Sequence, residues 1–100
     1  MNPEAVWTAR AEADLLREFA RREEAVEGSG TDFLSAVDST LRLLRINPEM
    51  APRYSERYHR LVLRDRRIGI FYSIESRGVI VLGVCDLRQD RATILRHLST

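Results

Sequence analysis

Every basic side chain among the 16 in this 100-residue sequence is arginine; there is no lysine. Each of these cations is a permanently charged planar fork that suits a carboxylate or a phosphate, and none can give up and retake a proton near neutrality. The most strand-like stretch, residues 66–90, opens on Arg66-Arg67 and closes on Asp86-Leu87-Arg88-Gln89-Asp90. Arg60, Arg66, Arg67 and Arg88 lie at strand positions or strand ends from which they could share one sheet face or edge. Two readings of this set stand. It is a patch that meets nucleic acid or an acidic protein, or it is solvated strand-end charge.

The other reactive side chains read more simply. Tyr72 sits among isoleucines in mid-strand and is expected in the core. Cys85 ends an apolar run with no basic activator beside it, which points to a buried thiol rather than a nucleophile. His59 and His97 are too far apart in sequence to count as a ligand pair, and no CxxC or HxxxH spacing occurs. No catalytic residue, metal site or cofactor is therefore expected. Asp86 and Asp90 flank Arg88 as a turn and a helix cap would. Gly28-Ser29-Gly30 has neither a strand before it nor a lysine after it, so it reads as a linker and not a phosphate loop.

The elements that must position these residues follow from composition and periodicity. One hundred residues, 44% hydrophobic and 31% charged, suffice for one domain over 1–100 and not for two. The longest apolar run, Gly78 to Cys85, falls far short of the roughly 20 residues that cross a bilayer, and the N-terminus lacks the form of a signal peptide. A cytoplasmic protein without membrane contact is expected, and the single cysteine demands no oxidising compartment. The net charge of +1 conceals a split. Residues 1–50 carry six arginines against ten acids, a net −4, and residues 51–100 carry ten against five, a net +5.

Thr8 can cap a helix through Glu27, in which Ala9, Ala13, Leu16 and Ala20 recur at helical spacing, widened by Leu15, Phe19 and Val26. Gly28 ends it. Thr31 can cap a second helix to Ile46 with Phe33, Val37, Leu41 and Leu44 on one face, stopped by Asn47-Pro48. A connection this short makes the two an antiparallel hairpin, with Leu16 and Leu41 expected to face a core. Residues 58–64, 68–75 and 79–86 are rich in β-formers. Ile68, Ile70, Tyr72 and Ile74 alternate as in a half-buried strand, and turns at 65–67 and 76–78 join the three into an antiparallel meander. With a short strand at Ala5-Val6-Trp7 and a last helix after Asp90, the order is β-α-α-β-β-β-α, an α+β domain with the helical hairpin on a small antiparallel sheet.

That ordered set resembles the ParE branch of the RelE/ParE toxin superfamily, the toxic half of bacterial type II toxin-antitoxin pairs. The resemblance rests on the opening strand followed by Ala-Glu-Ala-Asp-Leu-Leu, on Leu-Leu-Arg-Ile-Asn-Pro, Tyr-His-Arg-Leu-Val-Leu and Ile-Phe-Tyr-Ser-Ile-Glu, and on Val-Leu-Gly-Val-Cys-Asp-Leu-Arg-Gln-Asp. Cys85-Asp86 departs from the more usual Val-His. The resemblance implies a cognate antitoxin whose C-terminal segment wraps the toxin as a hetero-oligomer, and operator DNA met only through that antitoxin. Candidates for antitoxin contact are Leu15, Phe19, Leu34, Arg60 and Arg88; candidates for toxicity are Arg60, Arg66, Arg67 and Arg88. RelE-like relatives cleave ribosome-bound messenger RNA with Lys, Arg and Tyr side chains, whereas ParE-like relatives poison DNA gyrase. A chain without lysine suits the second, since arginine is a poor general base. Ribosome-dependent cleavage and a non-toxic antitoxin binder are the alternatives.

Overall fold

Thr8 leaves the first strand with extended backbone, and its hydroxyl accepts the N–H of Ala11 at 3.1 Å, so the first helix starts where the sequence placed its cap. The computed structural model describes residues 4–99; the extreme ends of the expected domain, residues 1–3 and 100, lie outside them. In chain order the elements are β1 (Glu4–Trp7), α1 (Ala9–Ala25), α2 (Ser29–Ile46), a 3-10 turn (Pro48–Met50), β2 (His59–Val62), β3 (Ile68–Glu75), β4 (Gly78–Asp86) and α3 (Arg91–Ser99). This is the expected order.

The sheet runs β1-β4-β3-β2. The β2-β3-β4 meander is antiparallel as the turns required, but β1 joins β4 in parallel, so the sheet is mixed. A register shift between Phe71 and Tyr72 leaves Leu82 as an extra residue on β4, which puts Val81 and Val84 on one sheet face and Cys85 on the other.

Both faces of the sheet are covered. Ile68, Ile70, Tyr72, Val79, Val81 and Val84 pack with Ala11, Phe33, Val37 and Leu44 of the helical hairpin. On the opposite face Phe71 and Cys85 pack with Tyr58, Ile94 and Leu98, beneath α3. Strand β3 is therefore buried on both sides through Tyr72 and is not the half-buried strand that alternation suggested, while Ile74 at its end is exposed.

The second helix presents the expected stripe; the first does not. Leu16 is 63% exposed and Ala9, Ala13 and Ala20 lie on the solvent side, whereas the inward stripe of α1 runs through Ala11, Asp14, Leu15, Glu18, Phe19, Arg22 and Glu23. Charged residues occupy that face because each is paired there. Glu18 holds Arg22 at 2.6 Å, and Arg22 continues to Asp65 in the β2–β3 turn at 2.7 Å with its guanidinium 4.6 Å over the Phe33 ring. The cap of α2 also differs. The helix begins two residues before Thr31, on Gly28 at φ +89°, and the Glu23 carboxylate accepts the N–H groups of Gly28, Gly30 and Thr31 at 3.2, 2.8 and 3.4 Å. An acid from the preceding helix thus satisfies the orphan donors that a capping hydroxyl was expected to take.

Candidate functional site

The four arginines singled out by sequence fall into two groups. Arg67 and Arg88 converge on Asp86, which ends β4 opposite Ile68. Arg88 forks onto the carboxylate through Nε, at 3.0 and 3.2 Å, and through a terminal nitrogen at 2.7 Å; Arg67 approaches the same carboxylate at 3.7 Å. The backbone holds this arrangement. Leu87 N–H donates to the Arg67 carbonyl at 2.7 Å, and Arg88 N–H donates to Asp86 at 2.9 Å. The Arg88 guanidinium beside Asp86, with Arg67 near it, pulls the Asp86 carboxyl far below the usual carboxylate range. Because Arg88 is still 71% exposed, its second terminal nitrogen remains available to an outside acceptor.

Arg66 occupies the β2–β3 turn with left-handed backbone, φ 62°, and is exposed at the same end of the sheet. Its turn is fixed by Asp65, whose carboxylate accepts the N–H groups of Arg67 and Ile68 while holding Arg22.

Arg60 belongs elsewhere. It pairs with Phe71 in the β2–β3 ladder and so lies on the α3 face, its guanidinium 5.2 Å from the centre of the Tyr54 ring. Arg91, at the start of α3, covers the same ring at 4.5 Å, and Tyr54 in turn meets Phe71 edge-on at 5.0 Å. The two cations share one aromatic ring, an arrangement that keeps both extended over the sheet and open to an acidic or π-bearing partner. Sequence reading missed Tyr54 and Arg91, because 37 residues separate them and no periodicity links a loop to a helix start.

Tyr72, both histidines and Cys85 are engaged internally or buried. The Tyr72 hydroxyl donates to the Pro48 carbonyl at 2.7 Å, its ring is fully buried, and burial raises its pKa. Buried His59 stacks on Tyr72 with Nδ1 2.9 Å from the Ala51 carbonyl. His97 on α3 has Nε2 2.8 and 3.0 Å from the two carboxylate oxygens of Asp14. Cys85 is buried as expected, and burial, reinforced by the Asp14 charge, pushes its thiol up to about 12. Asp90 caps α3 by accepting Thr93 N–H at 2.8 Å, again as expected. Leu15, Phe19 and Leu34 are each half-buried; Leu15 and Leu34 pack against the hairpin side of the core.

With this geometry established, comparison with known proteins is decisive on family. Residues 5–91 match the sequence profile described as ParE toxin of type II toxin-antitoxin system, parDE. The chain belongs to the ParE toxin family. No curated protein matches it significantly. A solved chain from the chromosomal ParDE TA system of P. aeruginosa shares its fold, with a TM-score of 0.72, 16% identity, and an alignment covering 84% of this chain and 95% of that one. Membership of the ParE family implies an antitoxin partner. Among the described residues no helix is long and apolar enough to cross a membrane.

Proposed function

We propose that this ParE-family chain is a cytoplasmic toxin that inhibits DNA gyrase by binding it, and that a cognate antitoxin neutralises it by laying an acidic, partly apolar segment over the arginines and the α1–α2 hairpin. The observation that carries this reading is the division of labour among the reactive groups. Tyr72, His59, His97 and Cys85 are held in internal bonds or buried, whereas Arg66, Arg88, Arg60 and Arg91 present fixed positive charge at the sheet end and on the α3 face. Such a surface binds; it does not need to transfer a proton. The family match supports the toxin assignment, and the +5 net charge of residues 51–100 supports an acidic partner. Leu15, Phe19 and Leu34 would supply the apolar side of the antitoxin contact, with Arg60 and Arg88 its charged side, and operator DNA would be met only through the antitoxin.

The deciding experiment is a gyrase supercoiling assay with the purified toxin and no ribosomes. Inhibition is expected, messenger RNA in a translating extract should stay uncut, and Arg67→Ala with Arg88→Ala should abolish both inhibition and growth arrest while circular dichroism shows an unchanged fold. Ribosome-dependent cleavage of the messenger, with gyrase unaffected, would place the chain among the nucleases instead.

A further inference from the structure

Asp14 of α1, Cys85 of β4 and His97 of α3 are separated by up to 83 residues, yet they offer one oxygen, one sulfur and one nitrogen that all lie within 4.8 Å of one another. None of them belongs to the arginine surface, and the gyrase reading asks of His97 and Cys85 only that they face inward. We propose that these three side chains form a zinc site.

The donors are those zinc prefers, and they are of the right number. Cysteine thiolate, imidazole nitrogen and carboxylate oxygen are its three common protein ligands, and three of them with a fourth position left open is the arrangement of an accessible zinc centre. The spacing is close to what the ion requires. Tetrahedral zinc holds neighbouring ligand atoms roughly 3.3–3.8 Å apart, given bonds of about 2.0–2.3 Å. The present set spans from 2.8 Å, between His97 and Asp14, to no more than 4.8 Å, so small side-chain rotations suffice.

The surroundings also fit. Asp14 is oriented by Val84 N–H at 3.0 Å on one oxygen and by Arg17 at 3.2 Å on the other, the kind of outer contact that fixes a ligating carboxylate. Gly83 makes room: a Cβ there would stand 2.6 Å from Leu98 and 3.3 Å from the Asp14 carboxylate, so only glycine lets α3 and α1 close over β4 at this point. A cavity of about 350 Å³ adjoins the three donors and is lined further by Glu18, Asp86 and Gln89 and by Arg17 and Arg21, whose guanidinium groups are engaged by Asp14 and Glu18, giving an ion a route in and a fourth ligand from solvent. The carboxylate and a thiolate together balance the charge of a divalent ion. Once bound, the ion would join one residue from each of α1, β4 and α3, fastening the last helix to the body of the domain.

The test is titration of the full chain, stripped by chelator, first with Co2+ and then with Zn2+. Folded protein should develop the intense near-ultraviolet thiolate-to-cobalt absorption at one equivalent, zinc should displace it, and zinc should raise the melting temperature in a concentration-dependent way. Cys85→Ser should lose the thiolate band. Cys85→Ser and His97→Gln should each weaken zinc binding by more than the roughly 10–100-fold that loss of an outer partner costs. A wild-type cobalt spectrum without the thiolate band, or wild-type zinc affinity in a folded His97→Gln variant, would overturn the site and leave Asp14–His97 as a structural contact only. Should Cys85→Ser not fold, the wild-type band and the His97→Gln affinity decide the matter between them.

Discussion

Asp14 accepts the backbone N–H of Val84 at 3.0 Å, joining α1 to β4 across 70 residues of sequence. The need for it comes from the sheet. Strand β1 is only four residues long and its pairing with β4 ends at Trp7 opposite Val81, so beyond that point β4 has no strand on that side. A carboxylate from the helix takes the place of the missing neighbour, and satisfies an N–H that would otherwise be buried without a partner. Asp14→Ala should therefore lower stability by about 1–3 kcal/mol for the orphaned donor alone. Asp14→Asn, which keeps an acceptor oxygen, should recover part of that. Urea denaturation in the presence of chelator measures both; a loss under about 0.5 kcal/mol in the alanine variant would mean that Val84 finds another partner.

Replacing Tyr72 with Phe isolates one bond. The ring would stay in place among the buried residues of the hairpin face, while the donation to Pro48, which ties the turn after α2 to the sheet, would be lost. A cost of about 0.5–1.5 kcal/mol is expected in thermal or urea unfolding. Growth arrest should persist, since this hydroxyl serves the fold. Full stability with lost toxicity would instead give Tyr72 a functional role.

The two leucines of the helical hairpin separate a true core position from an apparent one. Leu44 is fully buried and Leu16 is 63% exposed. Leu44→Ala should cost about 2–5 kcal/mol, and Leu16→Ala less than about 0.5 kcal/mol. The comparison also shows where sequence was readable. On α2 the inward residues Phe33, Val37 and Leu44 are apolar, so period and face agree. On α1 the inward stripe contains Asp14, Arg22 and Glu23, bonded across to β4, to Asp65 and to the start of α2 respectively, with Glu18 holding Arg22 in place, and hydrophobicity alone points to the opposite side of the helix. The β2-β3-β4 meander, the Thr8 and Asp90 caps and the stop at Asn47-Pro48 were legible because each depends on neighbours close in sequence, whereas the parallel pairing of β1 with β4 joins residues too far apart to be read there. The Tyr54–Arg91 contact and the meeting of Asp14, Cys85 and His97 were not, because only the packing of α3 on the sheet creates them.

Acid should weaken the fold through a definite set of carboxylates. Asp86 is held down by Arg88, Asp65 by Arg22 and backbone N–H groups against the opposing effect of burial, and Asp90 by the N–H of Thr93. Each has a folded-state pKa below its unfolded one. Its contribution is complete above the unfolded value of about 3.9 and disappears as pH falls through the depressed folded value. Unfolding followed from pH 6 downward should show stability falling below about pH 4. Asp86→Asn should be less stable than the wild type at pH 6 and should lose less on acidification. Parallel acid limbs for the two proteins would show that the Asp86–Arg88 pair adds nothing to stability.

Binding of the antitoxin gives the sharpest test of the arginine surface, and Arg60 is a cleaner probe than Arg88. Reversing the charge of Arg88 would set a second acid against Asp86, and mix a fold effect with a binding effect. Arg60 has Tyr54 as its aromatic neighbour, with Arg91 on the same ring, so Arg60→Glu changes the field of the α3 face and creates an acid beside a cation. If an acidic segment docks there, the variant should bind the antitoxin more weakly at low salt, and the affinities of wild type and variant should converge as added salt screens the surface over a Debye length of about 10 Å at 0.1 M. The association rate should fall more than the dissociation rate rises, as for a charge that steers encounter. Arg88→Ala should weaken binding in the same sense by a smaller step. Equal affinity for Arg60→Glu and wild type at both low and high salt would remove the α3 face from the docking surface and leave the sheet end, with Arg66, Arg67 and Arg88, as the place where the acidic segment lies.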